Sequence, residues 1–132
     1  MTPELVTSSQ STMDVCALYV TFHPDDGFAG RISSVKASVG KVLLVDNGSN
    51  SESLAMLRRL EDDPNVVLLP SDTNTGVAAA YNRGAAWARD HGFRWVVLLD
   101  QDTIPRADLV PILLSGYLRD TGHGRLGIVG SS

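Results

Sequence analysis

The sequence predicts an α/β fold with an open, mostly parallel sheet and helices on both faces. Apolar runs of strand length alternate with segments long enough for helices. The apolar runs are nearly continuous, which is typical of parallel strands buried on both faces. Strand–helix–strand repetition with short connections favours one sheet built with right-handed crossovers. A length of 132 residues suits a single domain.

The strands and helices of the first half follow from composition and capping residues. Residues 15–22 are rich in Val, Tyr, Thr and Phe, and predict the first strand. A helix over 28–39 follows by length, and the apolar run 42–45 is the second strand. Ser49 or Asn50 can cap the next helix, which we expect over 51–60.

The second half continues the same alternation. Residues 66–69 predict the third strand, and Asn74 or Thr75 can cap an Ala-rich helix over 76–90. His91-Gly92 is a helix stop before the fourth strand. The remaining predicted elements are a strand over 95–99, a helix over 106–118 and a fifth strand over 126–129.

Composition excludes several classes of protein. The net charge of −4 argues against a nucleic-acid binder, which usually has a basic face. No apolar stretch reaches the roughly 18 residues that a membrane span needs. Cys16 lies in an apolar run and is expected to be a small buried hydrophobe. Residues 1–13 are polar without the features of a signal peptide, so we expect a disordered tail and a cytoplasmic protein.

The end of the chain bears on domain organisation. The sequence stops at GIVGSS, directly after the fifth predicted strand. We therefore expect residues 14–132 to form one domain that is truncated after that strand and belongs to a longer chain. The oligomeric state leaves no trace in the sequence.

Carboxylates follow each of the first four predicted strands, where ligands of open parallel sheets bind. Carboxylates gathered at one edge repel each other unless a cation or hydrogen-bond donor lies among them. Asp46 ends an apolar strand, and there it could accept hydrogen bonds from a nucleobase or ribose. The others outside the LLDQDT segment lie among turn-forming residues and are interpreted as turn residues: Asp25, Asp26 and Asp72.

Asp100 and Asp102, in LLDQDT, are the sharpest candidate site. Residues two apart in an extended chain point to the same side, so both carboxylates can reach one cation. Mg²⁺ takes one or two protein carboxylates and completes its shell with phosphate and water, and Mn²⁺ suits the same oxygen ligands. Such a cation would let an acidic edge bind a diphosphate and would stabilise charge on the leaving group.

Other candidate features are weaker. Gly76 begins a helix whose free N–H groups favour an anion. The sequence has neither a Walker A loop nor a G-x-G-x-x-G motif, which argues against a P-loop NTPase and a dinucleotide-binding fold. His23 follows the first strand and is kept as a site candidate, whereas Arg83 is expected to face solvent.

Four segments in order, VTFHPD, VLLVDNGSN, NTGVAAAYNRGAAWA and WVVLLDQDT, resemble family 2 glycosyltransferases of the Rossmann-like GT-A fold. They are most similar to the bacterial rhamnosyltransferase branch. The resemblance covers roughly residues 14–104. It implies that residues 14–132 are the nucleotide-sugar-binding domain of a longer enzyme. As an ordered set the segments are specific, although each alone is weak.

The resemblance implies roles for residues that follow the first two strands. Thr21, Phe22 and His23 match the segment that contacts the donor nucleoside. Asp46 matches the acid that recognises the base.

It also implies roles for two later segments. Asn74 and Gly76 match the motif that lines the nucleotide pocket. Asp100 and Asp102 match the D-x-D motif of the family, with Asp102 as the usual ligand of Mg²⁺ or Mn²⁺ and Asp100 near the ribose or the metal.

The reaction implied is inverting transfer of a sugar from a nucleoside diphosphate to a hydroxyl of a glycan or lipid-linked acceptor. For the rhamnosyl branch the donor is dTDP-L-rhamnose, with a UDP-sugar as the alternative, and the product is a cell-surface polysaccharide or glycolipid. The full-length enzyme would then work at the inner face of the plasma membrane. No residue of this chain matches the general base of the family, so we expect that base beyond Ser132.

Two other functions stay open at this point. The acidic edge could serve an α/β nucleotidyltransferase, although FHPDDGFAG lacks the basic, Gly-rich character of a triphosphate-binding loop. The chain could also be a non-catalytic nucleotide-binding module.

Overall fold

The computed structural model describes residues 13–106, 108–112 and 127–130. Within these residues one sheet of parallel strands has the order β3-β2-β1-β4-β5. The strands are β1 (Val15–Thr21), β2 (Lys41–Asp46), β3 (Val66–Leu69), β4 (Trp95–Asp100) and β5 (Gly127–Gly130). The helices are α1 (Phe28–Lys36), α2 (Ser51–Leu60) and α3 (Val77–Asp90). The predicted parallel α/β sheet is confirmed.

The helices cover both faces of the sheet because successive strand residues point to opposite sides. In β1, Val15, Ala17 and Tyr19 belong to one apolar cluster, which also contains residues of α1 and α2. Cys16 and Leu18 belong to the second cluster, which contains residues of α3. The prediction of helices on both faces is therefore confirmed.

Most element boundaries agree with prediction to within one residue, and α1 is the exception. It ends at Lys36 rather than at 39. The N–H of Ser38 donates back to Val35, and the N–H of Gly40 donates to the carbonyl of Val15. The chain therefore leaves the helix early in order to enter the sheet.

The helix caps are predicted well at α2 and wrongly at α3. The Asn50 side chain accepts from the N–H of Ser53 at 2.9 Å and caps α2. The N-cap of α3 is Gly76, with φ 90° and no side-chain cap. Asn74 Oδ1 accepts from the N–H of Gly76, one residue before the helix, and the N–H of Thr75 donates to Asn47. Both predicted capping residues are therefore used in the loop itself.

Other predictions are confirmed or lie outside the described residues. Gly92, at φ 85°, follows the end of α3, which confirms the predicted stop at His91-Gly92. Residues 109–112 are helical, whereas Arg106 and Asp108 are not, so the helix predicted from residue 106 begins later than expected; its predicted part over 113–118 lies outside the described residues, as do residues 1–12 of the predicted tail.

Two further observations concern the thiol of Cys16 and the length of the helices. Cys16 is fully buried, and burial raises the pKa of its thiol to about 12, so it stays a protonated, unreactive side chain as expected. Among the described residues no helix is long and apolar enough to cross a membrane.

Gly84 lets α3 approach the sheet closely, which makes a testable prediction. A Cβ at this position would collide with the side chain of Leu18 and would lie 2.9 Å from Val45 Cγ2. We expect Gly84→Ala to lower the free energy of unfolding by about 1–3 kcal/mol through overpacking. The matched control is Gly30→Ala in α1, where a Cβ meets nothing within 4 Å.

In the control the better helix propensity of alanine should raise stability by about 0.5–1 kcal/mol. Urea denaturation of both variants measures the two opposite signs. A Gly84→Ala protein as stable as the Gly30→Ala protein would contradict the close packing of α3.

Candidate functional site

The candidate site lies where the order of the strands reverses. From β1 the chain runs outward through β2 to β3, and it then returns to pair β4 with the other side of β1. The carboxyl ends of β1 and β4 lie side by side, with Val20 opposite Asp100. A crevice outside the carboxyl ends at such a reversal is the usual ligand site of open α/β sheets.

A cavity of about 580 Å³ occupies this position. It has the size of a small-molecule site. Its lining residues come from the ends of β1, β2 and β4 and from the start of α3: Val20, Phe22, Asn47, Asn74, Val77, Tyr81, Leu98, Asp100, Gln101 and Asp102.

Half of the sequence-predicted site residues line the cavity. Four do so: Phe22, Asn74, Asp100 and Asp102. The other four, which do not line it, are Thr21, His23, Asp46 and Gly76. The second group instead shapes the loops around the cavity, and each of its members has a described structural partner or backbone role.

Asp46 is fully buried, and its carboxylate is engaged by protein groups. It accepts from the hydroxyls of Thr21 at 2.8 Å and Ser49 at 2.5 Å. It also accepts from the N–H groups of Ser49 at 2.8 Å and Gly48 at 3.2 Å. A direct contact with a nucleobase would require Asp46 to give up some of these bonds. In this geometry Asp46 holds the end of β1 to the loop between β2 and α2.

Asn47, the next residue, lines the cavity in place of Asp46. It is only 2% exposed. Its Oδ1 accepts from the N–H of Thr75 at 2.9 Å and from the Thr75 hydroxyl at 3.3 Å. No group in the described part of the chain accepts from its Nδ2, so the amide retains a donor for a ligand. Sequence reasoning missed Asn47, although adjacent residues at a strand end point to opposite sides and only one of the pair can face the cavity.

His23 supports the loop rather than the cavity. Its backbone N–H donates to the hydroxyl of Ser49 at 2.8 Å, and its Nδ1 accepts from the N–H of Asn50 at 3.1 Å. His23 has a φ of 47°, an uncommon conformation for a residue other than glycine, and its ring packs on that of Phe22. His23 thus connects the end of β1 to the start of α2.

The start of α3 adds an electropositive feature beside the cavity. Val77, the first residue of the helix, lines the cavity, and no side chain caps the helix N-terminus. Free N–H groups in a first helical turn favour a nearby anion by about 0.3–1 kcal/mol. Gly76 contributes its φ of 90°, which turns the chain into the helix.

Tyr81 is the aromatic residue of α3 that lines the cavity. Its hydroxyl donates to the carbonyl of Leu99 at 3.3 Å. Burial and the negative charge of Asp100 raise the pKa of Tyr81, so the phenol stays neutral. It can therefore offer a ligand an aromatic surface and a neutral hydroxyl.

The charged side chains of the cavity lining are carboxylates alone. Asp100 and Asp102 are exposed, and the N–H of Asp102 donates to Asp100 Oδ1 at 3.2 Å. Arg83, on α3, donates to the carbonyls of Leu69 and Pro70, so its side chain is held against the end of β3. The expectation that Arg83 simply faces solvent is therefore wrong. An anion in this cavity therefore faces two negative charges.

These residues fit a divalent cation that shares its shell with a ligand. No group of three or more His, Cys, Asp or Glu side chains comes together in the described residues, so they form no all-protein metal cage. Mg²⁺ typically uses one or two carboxylates and fills its other positions with phosphate oxygens and water. Asp100 and Asp102 supply such a pair at the mouth of the cavity.

Comparison with known proteins identifies a family. The family model for glycosyl transferase family 2 matches residues 26–124, which is most of the chain. The match begins after β1 and includes the ends of β2 and β4 that line the cavity. No curated protein matches the chain significantly.

Proposed function

The chain belongs to glycosyl transferase family 2, and we propose that its cavity binds the nucleoside-diphosphate sugar donor through Mg²⁺ or Mn²⁺ held by Asp100 and Asp102. A glycosyltransferase of this family uses a nucleotide-sugar donor and an acceptor. Family membership also favours this function over the nucleotidyltransferase considered from the sequence.

The observation that carries the proposal is the charge of the cavity. Its lining includes Asp100 and Asp102 and no lysine or arginine. A diphosphate brought beside two carboxylates would be repelled unless a cation lay between them. A divalent cation would remove this repulsion, because it could accept oxygen ligands from the two carboxylates and from the diphosphate.

The nucleoside would occupy the part of the cavity near β1 and β2. Asn47 supplies an amide donor there, and Phe22, a residue that is 42% exposed, supplies an aromatic ring. Hydrogen bonds fix the orientation of a ligand, whereas an aromatic face contributes apolar contact area. We therefore assign base or ribose recognition to Asn47 and Phe22, with Asp46 holding the loop that carries Asn47. Asn74 lines the same cavity.

The chemistry is inverting transfer in a single displacement. The acceptor hydroxyl attacks the anomeric carbon, the bond from that carbon to the diphosphate oxygen breaks, and the hydroxyl proton passes to a general base. Asp100 and Asp102 would hold the cation, which would supply Lewis acidity to stabilise the charge on the departing diphosphate. The residues described here orient the donor for this step.

The four sequence segments also favour a particular donor sugar and a particular kind of acceptor. Their similarity to rhamnosyltransferases supports dTDP-L-rhamnose as donor and a cell-surface polysaccharide or glycolipid as product. An acceptor of that kind supports work at the cytoplasmic face of the plasma membrane.

Calorimetric titration of the 132-residue chain with dTDP, UDP and GDP, with and without Mn²⁺, tests the donor site. We expect one diphosphate to bind, to bind only when Mn²⁺ is present, and to be released by a chelator. Preference for dTDP would support the rhamnosyl donor. A folded sample that bound none of the three nucleotides, or bound them equally without metal, would overturn the proposal.

A further inference from the structure

Gln101, which lies between the two carboxylates of the site, joins the ends of β1 and β4 through its side chain. Its Oε1 accepts from the N–H of Phe22 at 2.8 Å, and its Nε2 donates to the carbonyl of Phe22 at 3.1 Å. A carboxamide carries a carbonyl acceptor and an NH₂ donor group, so it can pair with both the N–H and the carbonyl of one residue. The side chain of Gln101 therefore continues the pairing of the two strands beyond their last backbone partners.

This bridge lies where the backbones of the two strands stop pairing. The last paired residues are Val20 and Asp100, after which the chain segments separate around the cavity. The backbone N–H and carbonyl of Phe22, an exposed residue, lie just beyond that end and both bond to Gln101. Gln101 satisfies both groups of Phe22 and at the same time fixes the distance between the two exits.

Arg31, on α1, holds the backbone of Gln101 from the other side. Its Nε donates to the carbonyl of Gln101 at 2.8 Å. Its terminal nitrogen forms an ion pair with Asp25 at 2.7 Å, and only 16% of the Arg31 side chain is exposed. The hydrogen bond from Arg31 lowers the pKa of Asp25, with help from the N–H of Gly27. Arg31 is thus itself held in a fixed orientation.

We propose that Gln101 and Arg31 form a positioning pair that presets the backbone between Asp100 and Asp102, and with it the spacing of the two carboxylates, before the donor binds. Gln101 is fixed through its side chain to β1 and through its carbonyl to α1. Asp100 and Asp102 are the chain neighbours of Gln101, so fixing the backbone of Gln101 also limits the positions of their carboxylates. The inference rests on the proposed donor site, because it assigns a role in that site.

A preset pair of carboxylates matters because metal ligation depends on geometry. Partners that orient metal ligands without touching the metal typically change affinity by about 10–100-fold when they are removed. Without Gln101 and Arg31, the backbone of residues 100–102 would be less ordered in the free protein. Ordering it on binding would then reduce the binding free energy of the donor. The loss would appear in donor affinity rather than in the stability of the core, because Gln101 lies just beyond the carboxyl end of β4 and outside the apolar clusters.

The test uses the uncharged variant Gln101→Met, which removes both hydrogen bonds to Phe22 while keeping the length of the side chain. We expect Mn²⁺-dependent nucleotide affinity to fall by about 10–100-fold. The midpoint of urea unfolding should stay close to that of the wild type. In the ligand-free protein, the Phe22 N–H should exchange with deuterium faster than in the wild type. Asn82→Leu is the control, because Asn82 is exposed on α3 outside the cavity lining.

A second variant, Arg31→Met, keeps the aliphatic stem and removes the bond to the Gln101 carbonyl. If the two residues act as a pair, the double variant should lose less affinity than the product of the two single losses. This coupling separates positioning from general destabilisation, and it is measured on proteins that remain folded.

The outcomes separate this inference from the proposed function. If the wild type binds no nucleotide, the proposed donor site is wrong and the positioning role falls with it. If the wild type binds and Gln101→Met binds equally well, or the two losses multiply independently, the positioning pair is wrong while the donor site stands. Weaker binding by Gln101→Met, faster exchange at Phe22 and coupling to Arg31 would together support it.

Discussion

Replacement of Asp102 by asparagine is expected to remove the metal-dependent part of nucleoside-diphosphate binding, with a loss of affinity on the order of 100-fold or more. Removing partners outside the first ligand shell of a metal already costs about 10–100-fold, and Asp102 is proposed as a direct ligand. An amide keeps the size of the side chain but not the charge that attracts the cation. Calorimetry at fixed Mn²⁺ concentration measures the loss.

Asp26→Asn is the matched control for this prediction. Asp26 is exposed in the turn before α1 and does not line the cavity, so the same change in net charge should leave affinity close to that of the wild type. The unfolding midpoint of Asp102→Asn should also stay near that of the wild type, because Asp102 is exposed. An Asp102→Asn protein that still bound the diphosphate with Mn²⁺ as tightly as the control would rule out Asp102 as a ligand.

Replacement of Asp46 by alanine is expected to lower the free energy of unfolding by about 3 kcal/mol or more. The carboxylate accepts from two hydroxyls and two N–H groups, and it is fully buried. Each buried donor left without an acceptor costs about 1–3 kcal/mol. Urea denaturation measures the change.

Asp72→Ala is the control for Asp46→Ala. Asp72 is exposed on the loop before α3, so loss of its carboxylate should change stability by no more than about 0.5 kcal/mol. Equal stabilities of the two variants would contradict the buried network around Asp46.

A second pair of variants, Asp46→Asn and Asn47→Ala, decides between two roles for Asp46. The sequence resemblance implies that Asp46 recognises the base, whereas the structure shows its oxygens bonded to Thr21, Gly48 and Ser49. An Asp46→Asn protein that stayed stable but lost nucleotide affinity would favour the direct contact. Loss of stability, together with loss of affinity in a stable Asn47→Ala protein, would favour contact through Asn47.

The β1–β4 edge shows how far sequence reasoning extends into the site. Asp100 and Asp102 were found because they follow a buried apolar run, and both line the cavity. The sequence does not single out Asn47, because the carboxylate of the neighbouring Asp46 is the stronger hydrogen-bond acceptor and the alternation of strand residues ends with β2. The capping role predicted for Thr75 failed for a related reason: its N–H and hydroxyl both donate to Asn47, far away in the sequence.

Local sequence patterns are enough to predict the α/β class, the positions of the strands and the placement of the D-x-D segment at a strand exit. These features depend on local patterns, since apolar runs and capping residues act over a few neighbouring positions. The burial of Asp46, the position of Asn47 at the cavity and the hydrogen bond from Phe22 to Gln101, across 79 residues of sequence, depend instead on the folded arrangement of the strands. Hydrogen bonds between distant segments leave no periodic trace in a sequence, because they depend on how the strands are ordered in the sheet.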